Sequence, residues 1–285
     1  MLKDELEILL ETQKKEWSLL ATNYEGLNNV ERKSFDIDGR TVRVEHNPAR
    51  AVSSLAKTDA ATIAQRKCFL CEANRPQEQQ GIEFLGKYHA LTNPFPIFPK
   101  HFTIADKNHR LQKIDDERLR DMLLLSAEMD GYTVFYNGPR AGASAPDHFH
   151  FQAGNCDYLP QPENESPSGL KDRTSIKSDN PEEIIHWADE TINSLEGRKS
   201  ETDATVDEEP MMNIFCRHEG SQWTMTVVSR KKHRPACFFE EGGLKISPGA
   251  VDMAGVIIAA RKEDFDRITA DDIKRIYSEV ALDLR

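Results

Sequence analysis

Residues Asn137-Gly-Pro-Arg-Ala-Gly-Ala-Ser-Ala-Pro-Asp-His-Phe-His-Phe-Gln152 pass from a loop of small residues into a strict polar–aromatic alternation. Alternation with a period of two is the signature of a strand, so His148, His150 and Gln152 are expected on one face and Phe149 and Phe151 on the other, in a core. The preceding Gly, Ala, Ser and Pro residues make a tight loop whose backbone N–H groups can come close to a ligand. A small-residue loop leading to imidazoles on a rigid strand suits binding a phosphate and attacking it. Two imidazoles on one face can also share a metal ion, and both uses stand at this point.

Working outward, Tyr132-Thr-Val-Phe-Tyr136 is rich in β-formers and reads as the strand feeding the loop. Before it, Asp115 to Asp130 carries Leu119, Met122, Leu123 and Met129 at helical spacing, a core-covering helix. Tyr88 to Ile104 reads as strand, proline-stiffened corner (Asn93-Pro-Phe-Pro-Ile-Phe-Pro99), strand, because the prolines deny sheet pairing in between. Upstream lies Cys68-Phe-Leu-Cys71. Two thiolates at this spacing fit a zinc knuckle or a redox pair, though Pro76 and the Gln/Glu run that follows do not suit a thioredoxin-like helix. A zinc site would need two more ligands, with His89, His101, His109 and His148 as candidates.

Nearer the start, residues 2–22 read as one amphipathic helix, and Arg32 to Glu45 as two strands turning at Asp38-Gly39. Arg50 and Lys57 follow as basic residues within reach of a ligand. Residues 160–180 are rich in Pro, Ser, Asn and Asp and read as a long loop, Pro181 to Leu195 as a helix, and Glu196 to Pro210 as an acidic loop. Met211 to Ser229 reads as a hairpin turning at Glu219-Gly220. It ends in a basic run, Arg230-Lys-Lys-His-Arg234, from which Arg230 and Lys232 are candidate phosphate clamps. Val256 to Ala260 reads as a buried strand, and Asp271 to Leu284 as a closing helix.

Composition sets outer limits. The chain has 285 residues, 38% hydrophobic and 30% charged, which is globular, and no apolar run approaches membrane-spanning length. The net charge of −11 argues against general nucleic-acid binding. Five cysteines, two of them closely spaced, suit a reducing compartment rather than a disulfide framework. The charged N-terminus lacks a signal-peptide pattern, and a cytoplasmic location is expected.

The stretch Phe135 to Gln152 resembles the active-site strand of the histidine-triad (HIT) superfamily. It is most similar to the branch in which Gln replaces the third histidine, which holds the galactose-1-phosphate uridylyltransferases and the GDP-hexose phosphorylases. Ser247-Pro-Gly-Ala-Val-Asp-Met-Ala-Gly255 with Arg261-Lys-Glu-Asp-Phe265 resembles the C-terminal region of the GDP-L-galactose and GDP-D-glucose phosphorylases. The resemblance implies an α+β, HIT-like fold of antiparallel sheets flanked by helices, in two related halves: residues 1–158 with the active-site strand, a loop and helix connection at 159–210, and 211–285.

It further implies His150 as the nucleophile toward the α-phosphorus of a nucleoside-diphosphate sugar, and Gln152 as a hydrogen-bond donor to a phosphoryl oxygen. Asn137, Gly142 and Ser144 would hold the phosphates, and Asn93 with Phe95 would face the nucleoside. A structural zinc would rest on Cys68, Cys71, His109 and His148, with His101 in reserve. The acceptor would be phosphate, in a GDP-hexose phosphorylase, or a sugar 1-phosphate, in a uridylyltransferase-type exchange. A monomer or homodimer, with no nucleic-acid or membrane partner, is expected. A zinc-dependent phosphohydrolase, in which His148 and His150 both bind metal, and a non-catalytic nucleotide-binding protein are the rival classes.

Overall fold

The alternating residues after Val30 form the expected hairpin, β1 (Glu31–Ile37) pairing antiparallel with β2 (Arg40–His46). Asp38 (φ 53°) and Gly39 (φ 83°) both take positive φ at its tip, as a two-residue type I′ turn requires. The structure is a computed structural model and describes residues 1–56, 59–155, 166–167, 169–196 and 209–284.

The next strands are β3 (Gly81–Phe84), β4 (Tyr88–Thr92), β5 (His101–Asp106), β6 (Tyr132–Asn137) and β7 (His150–Asn155). They are followed by β8 (Arg173–Ser178), β9 (Met212–Glu219), β10 (Gln222–Ser229) and β11 (Val256–Ala259). Eight of them form one sheet in the order β3-β4-β5-β7-β6-β9-β10-β8, each neighbouring pair antiparallel. The remaining strand, β11, pairs parallel with β2 to make a three-stranded sheet.

The large sheet has a core on each face. Val134, Tyr136, Phe149 and Phe151 belong to the core that also holds Leu6, Leu10 and Leu20 of the N-terminal helices, Met122 and Leu123 of the helix Asp116–Glu128, and Ile184 and Ala188 of the helix Pro181–Glu196. Phe135 and Phe215, on the alternate positions, join Val42, Val44, Ile257 and the closing helix Ala270–Val280. The alternation read around His150 is therefore the alternation of a two-faced sheet. Burying Phe149 and Phe151 contributes roughly 2–3 kcal/mol each by apolar area alone, and the two rings meet edge to face, centroids 4.9 Å apart.

Three expectations change. The N-terminal segment is two helices, Leu2–Glu16 and Ser18–Gly26, because Trp17 adopts extended backbone (φ −118°, ψ 99°) and is buried there. The 160–180 stretch supplies a strand, β8, which satisfies the edge of β10, with Ser175 Oγ 2.9 Å from Thr226 Oγ1. Its register comes from that edge rather than from its own few apolar residues. The 159–210 connection therefore carries a strand as well as a helix, with residues 159–165, 168 and 197–208 outside the described residues. Strands from 1–158 and 211–285 share one sheet, joined where β6 pairs with β9 from Thr133↔Arg217 to Asn137↔Asn213. No helix among the described residues is long and apolar enough to cross a membrane.

Candidate active site

On adjacent strands β5, β7 and β6, the cross-strand partners Thr103, Gln152 and Phe135 stand side by side. Their face looks into a cavity of about 580 Å³. His150, Gln152, Asn137, Gly142, Ser144 and Asn93 all line it. At Gly154, an added Cβ would stand 2.3 Å from Phe98, so glycine makes the room in which the Asn93–Pro99 corner folds onto the sheet.

His150 is buried, and its Nδ1 lies 2.9 Å from the His148 carbonyl. A carbonyl can only accept, so Nδ1 carries the proton and Nε2 keeps its lone pair. Burial, reinforced by the charge of His148, lowers the pKa of His150 to about 4, so the ring is neutral at pH 7. Gln112 braces the strand: its Oε1 accepts from His150 N, and its Nε2 donates to the carbonyls of His150 and Asn137.

Gln152 is oriented by a relay. Ile97 N–H donates to His101 Nδ1 (3.2 Å), so His101 Nε2 bears hydrogen and donates to Gln152 Oε1 (2.9 Å). The NH₂ of Gln152 is thereby left for the cavity. Burial first, then the nearby Arg50, lowers the pKa of His101 to about 3 and keeps it neutral.

The 138–144 loop is held from the far end of the chain. Gly142 has φ +104°, and a Cβ there would meet Gly249 Cα at 2.6 Å, so both backbone angle and packing demand glycine. Asn137 Oδ1 accepts from Ala250 N (2.7 Å) and Asn213 Nδ2 (3.0 Å), bracing the loop. Among the described residues the amides of Gly142 and Ser144 donate to no protein group, nor does the Ser144 hydroxyl. Asn93 is spent within its corner, donating to Thr103 Oγ1 and accepting from Phe95 N.

Beside the cavity, Cys68, Cys71, His109 and His148 form a group that could hold a metal ion, their ligand atoms all within 4.8 Å of one another. Cys68 Sγ and Cys71 Sγ lie 3.2 Å and 3.5 Å from His148 Nδ1, and Cys71 Sγ lies 3.2 Å from His109 Nδ1. A tetrahedral ion with sulfur at ~2.3 Å and nitrogen at ~2.0 Å separates such atoms by about 3.5 Å, so the donor set fits. His148 Nε2 donates to the Asp106 carbonyl (2.7 Å), which aims Nδ1 at the sulfurs. Burial pushes the Cys68 thiol up, but the His148 hydrogen bond, the backbone N–H groups of Leu70 and Cys71 and the charge of His148 together bring the pKa down to about 6. Cys71, partly buried and facing that thiolate, is raised. The two imidazoles of the His148-Phe149-His150 run thus do not share a ligand position, and His101 and His89 stand apart, His89 beside Arg75.

The basic run divides differently from the expectation. The Arg230 side chain is buried against the Val280, Lys232, His233 and Pro248 carbonyls and Asn213 Oδ1, outside the cavity lining, and Lys232 is exposed. His233 and Arg234 line the cavity instead, with Arg50 and Arg66. Which arginine of a run turns inward depends on partners far along the chain, and no local signal marks it. Phe69 and Leu70, inside the cysteine knuckle, also line the cavity. Lys57 lies outside the described residues.

Comparison with known proteins adds three findings. A family profile described as a domain of unknown function (DUF4922) matches residues 9–155. Curated proteins gave no match. Among solved structures, yeast Ap4A phosphorylase Apa2 aligns over 97% of this chain and 98% of its own, with a TM-score of 0.63 and 16% identity. Its complex with Ap4A aligns over 99% of each chain at the same score and identity, and its complex with AMP over 99% and 98%, at 0.61. The α+β, HIT-like architecture expected from the sequence is the one found.

Proposed function

Because the chain belongs to the DUF4922 family, whose function is unknown, we propose its activity from the site itself: a phosphorylase that moves a nucleotidyl group through a covalent bond to His150. The observation that carries this reading is the His150 ring, neutral and tied through Nδ1–H to a carbonyl, with Nε2 on the cavity wall and without a hydrogen-bond partner among the described residues.

In the first step Nε2 attacks the α-phosphorus of the donor. The P–N bond forms as the P–O bond to the departing phosphate breaks, and the leaving group carries off the electron pair as a stable anion. The imidazolium so formed keeps its Nδ1–H on the His148 carbonyl. The Gln152 NH₂ and the amides of Gly142 and Ser144 are suited to the charge on the non-bridging oxygens. An amide cannot titrate, so position 152 supplies a donor without supplying an acid or base to activate water. In the second step a phosphate oxygen attacks the same phosphorus, the P–N bond breaks, and a nucleoside diphosphate leaves, with net retention and ping-pong kinetics.

The donor is a nucleoside-diphosphate hexose, GDP-hexose first, on the likeness of residues 247–255 and 261–265. The match to yeast Ap4A phosphorylase along nearly the whole chain favours a second donor class, a dinucleoside polyphosphate. We read the Cys68–Cys71–His109–His148 group as a zinc site. Cys68, Cys71, His109 and His148 would hold such an ion, which would supply a structural crosslink rather than a site for substrate.

The test is intact-protein mass after brief incubation with GDP-glucose, UDP-glucose or Ap4A, without added phosphate. One added nucleoside monophosphate is expected, absent in His150→Gly and discharged by phosphate. A folded, metal-loaded protein that gains no mass from any of the three would overturn the reading.

A further inference from the structure

We infer that Arg234 anchors a second anion subsite in the cavity, one that takes a phosphate dianion distinct from the phosphoryl group facing His150. The assignment of that dianion as the acceptor rests on the proposed function; the existence of the subsite does not.

Three contacts fix the Arg234 guanidinium. Nη2 donates to the Ala56 carbonyl (2.7 Å), Nε donates to Ser247 Oγ (2.9 Å), and the Phe238 ring lies with its centroid 4.2 Å from Cζ. None of these is an anion, and among the described residues no carboxylate comes within 4.0 Å of Arg234. By contrast another cavity arginine, Arg66, is paired with Asp147, in a chain of 48 acidic against 37 basic residues. A half-buried charge without a counter-charge is costly unless a ligand provides one. A planar guanidinium, braced through Nε and one Nη, offers its remaining N–H groups in a geometry that matches phosphate oxygens.

The position suits the chemistry. Arg234 and His150 line the same cavity. Ser247, which braces Arg234, continues through Pro248 into Gly249, and Gly249 packs on Gly142 of the loop expected to hold the attacked phosphoryl group. Arg50 lines the cavity too and donates to the Phe95 carbonyl (2.6 Å). His233 Nε2 is 3.4 Å from Ser247 Oγ. By microscopic reversibility, the phosphate that leaves in one direction occupies the place of the phosphate that attacks in the other. The Arg234 subsite therefore serves both the departing and the incoming dianion, and it sets the acceptor class as a phosphate rather than water.

Calorimetric titration of the full chain with inorganic phosphate, at constant ionic strength, tests this without turnover. Saturable binding is expected in the wild type, weakened on the order of 10–100-fold in Arg234→Gln, as for loss of a charge-assisted pair, and unchanged in Lys232→Gln. Equal affinity in wild type and Arg234→Gln would overturn the subsite, as would no saturable binding to the wild type. Should Arg234→Gln not fold, Ser247→Ala reads the same place: several-fold weakening supports the subsite, and no change removes it. Competition with glucose 1-phosphate separates the two ligand sources. Displacement supports a subsite shared by free phosphate and phosphate monoesters, and non-displacement would overturn its service to the departing sugar 1-phosphate. Failure of the His150 adduct would leave all these binding results standing, so the two readings fail separately.

Discussion

His148 and His150 are the same side chain two residues apart, and they face different chemistry. His148 gives Nε2–H to the Asp106 carbonyl and turns Nδ1 to two cysteines. His150 gives Nδ1–H to the His148 carbonyl and keeps Nε2. The contrast extends to charge: burial lowers the pKa of both rings, but at His148 the Cys68 and Asp106 hydrogen bonds and the charges of those groups together raise it, whereas at His150 burial prevails. Which ring nitrogen the backbone engages thus separates the role proposed for His148, a metal ligand, from that proposed for His150, a nucleophile. The cysteine knuckle and the cavity are adjacent regions, linked by the His148 carbonyl and by Phe69 and Leu70, which lie between the cysteines and line the cavity.

The largest expected effect breaks the pair apart. His150→Ala should lower turnover about 10⁴-fold or more while metal content and melting temperature stay near wild type. His148→Ala should release metal and lower the melting temperature by several degrees. Metal analysis and calorimetry beside kinetics decide it; metal loss in His150→Ala would merge the two regions. On the C-terminal side the same kind of contrast is expected between neighbours in one basic run. Arg230→Ala strands several buried acceptors and should cost about 3–5 kcal/mol in urea unfolding, whereas Lys232→Ala should cost under about 0.5 kcal/mol.

A smaller effect concerns a third histidine. His101→Ala should lower kcat roughly 10–100-fold with metal retained, and adding Gln152→Ala should cost little more, since the two act through one hydrogen bond. Additive losses would end the relay. The smallest effect is in pH. His101 has a folded pKa near 3, below its unfolded ~6.5. Its contribution is fully present above pH ~6.5 and is lost as pH falls toward 3, because the unfolded chain binds the extra proton. Urea midpoints at pH 7, 5 and 4 should fall less steeply for His101→Asn than for wild type.

Much of this was legible in local pattern. The alternation gave the two faces of β7 from His150 on, although His148, expected on the same face as His150 and Gln152, precedes the strand and turns to the cysteines. Asp38-Gly39 gave the hairpin tip, and the knuckle with the resemblance gave the four metal-type ligands that come together. What stayed hidden depended on partners distant in sequence. His101 looked like a spare ligand until Ile97 and Gln152 were seen on either side of its ring. Gln112, in an unremarkable polar stretch, braces His150 across 38 residues. β8 has too few apolar residues to announce a strand and takes its register from β10. Arg230 and Arg234 differ in nothing that a run of basic residues can encode.

The contact between Gly142 and Gly249 has a consequence for biosynthesis. During synthesis on the ribosome, the strand bearing His150 emerges long before the segment that props its loop, and β2 waits for β11 to fill its open edge. A nascent chain stopped before residue 249 would contain His150 but lack the support of Gly249 and Ala250, along with the wall they carry. The cavity wall would therefore be complete only once residues 249–259 have been made, a built-in delay between making His150 and supporting the loop beside it.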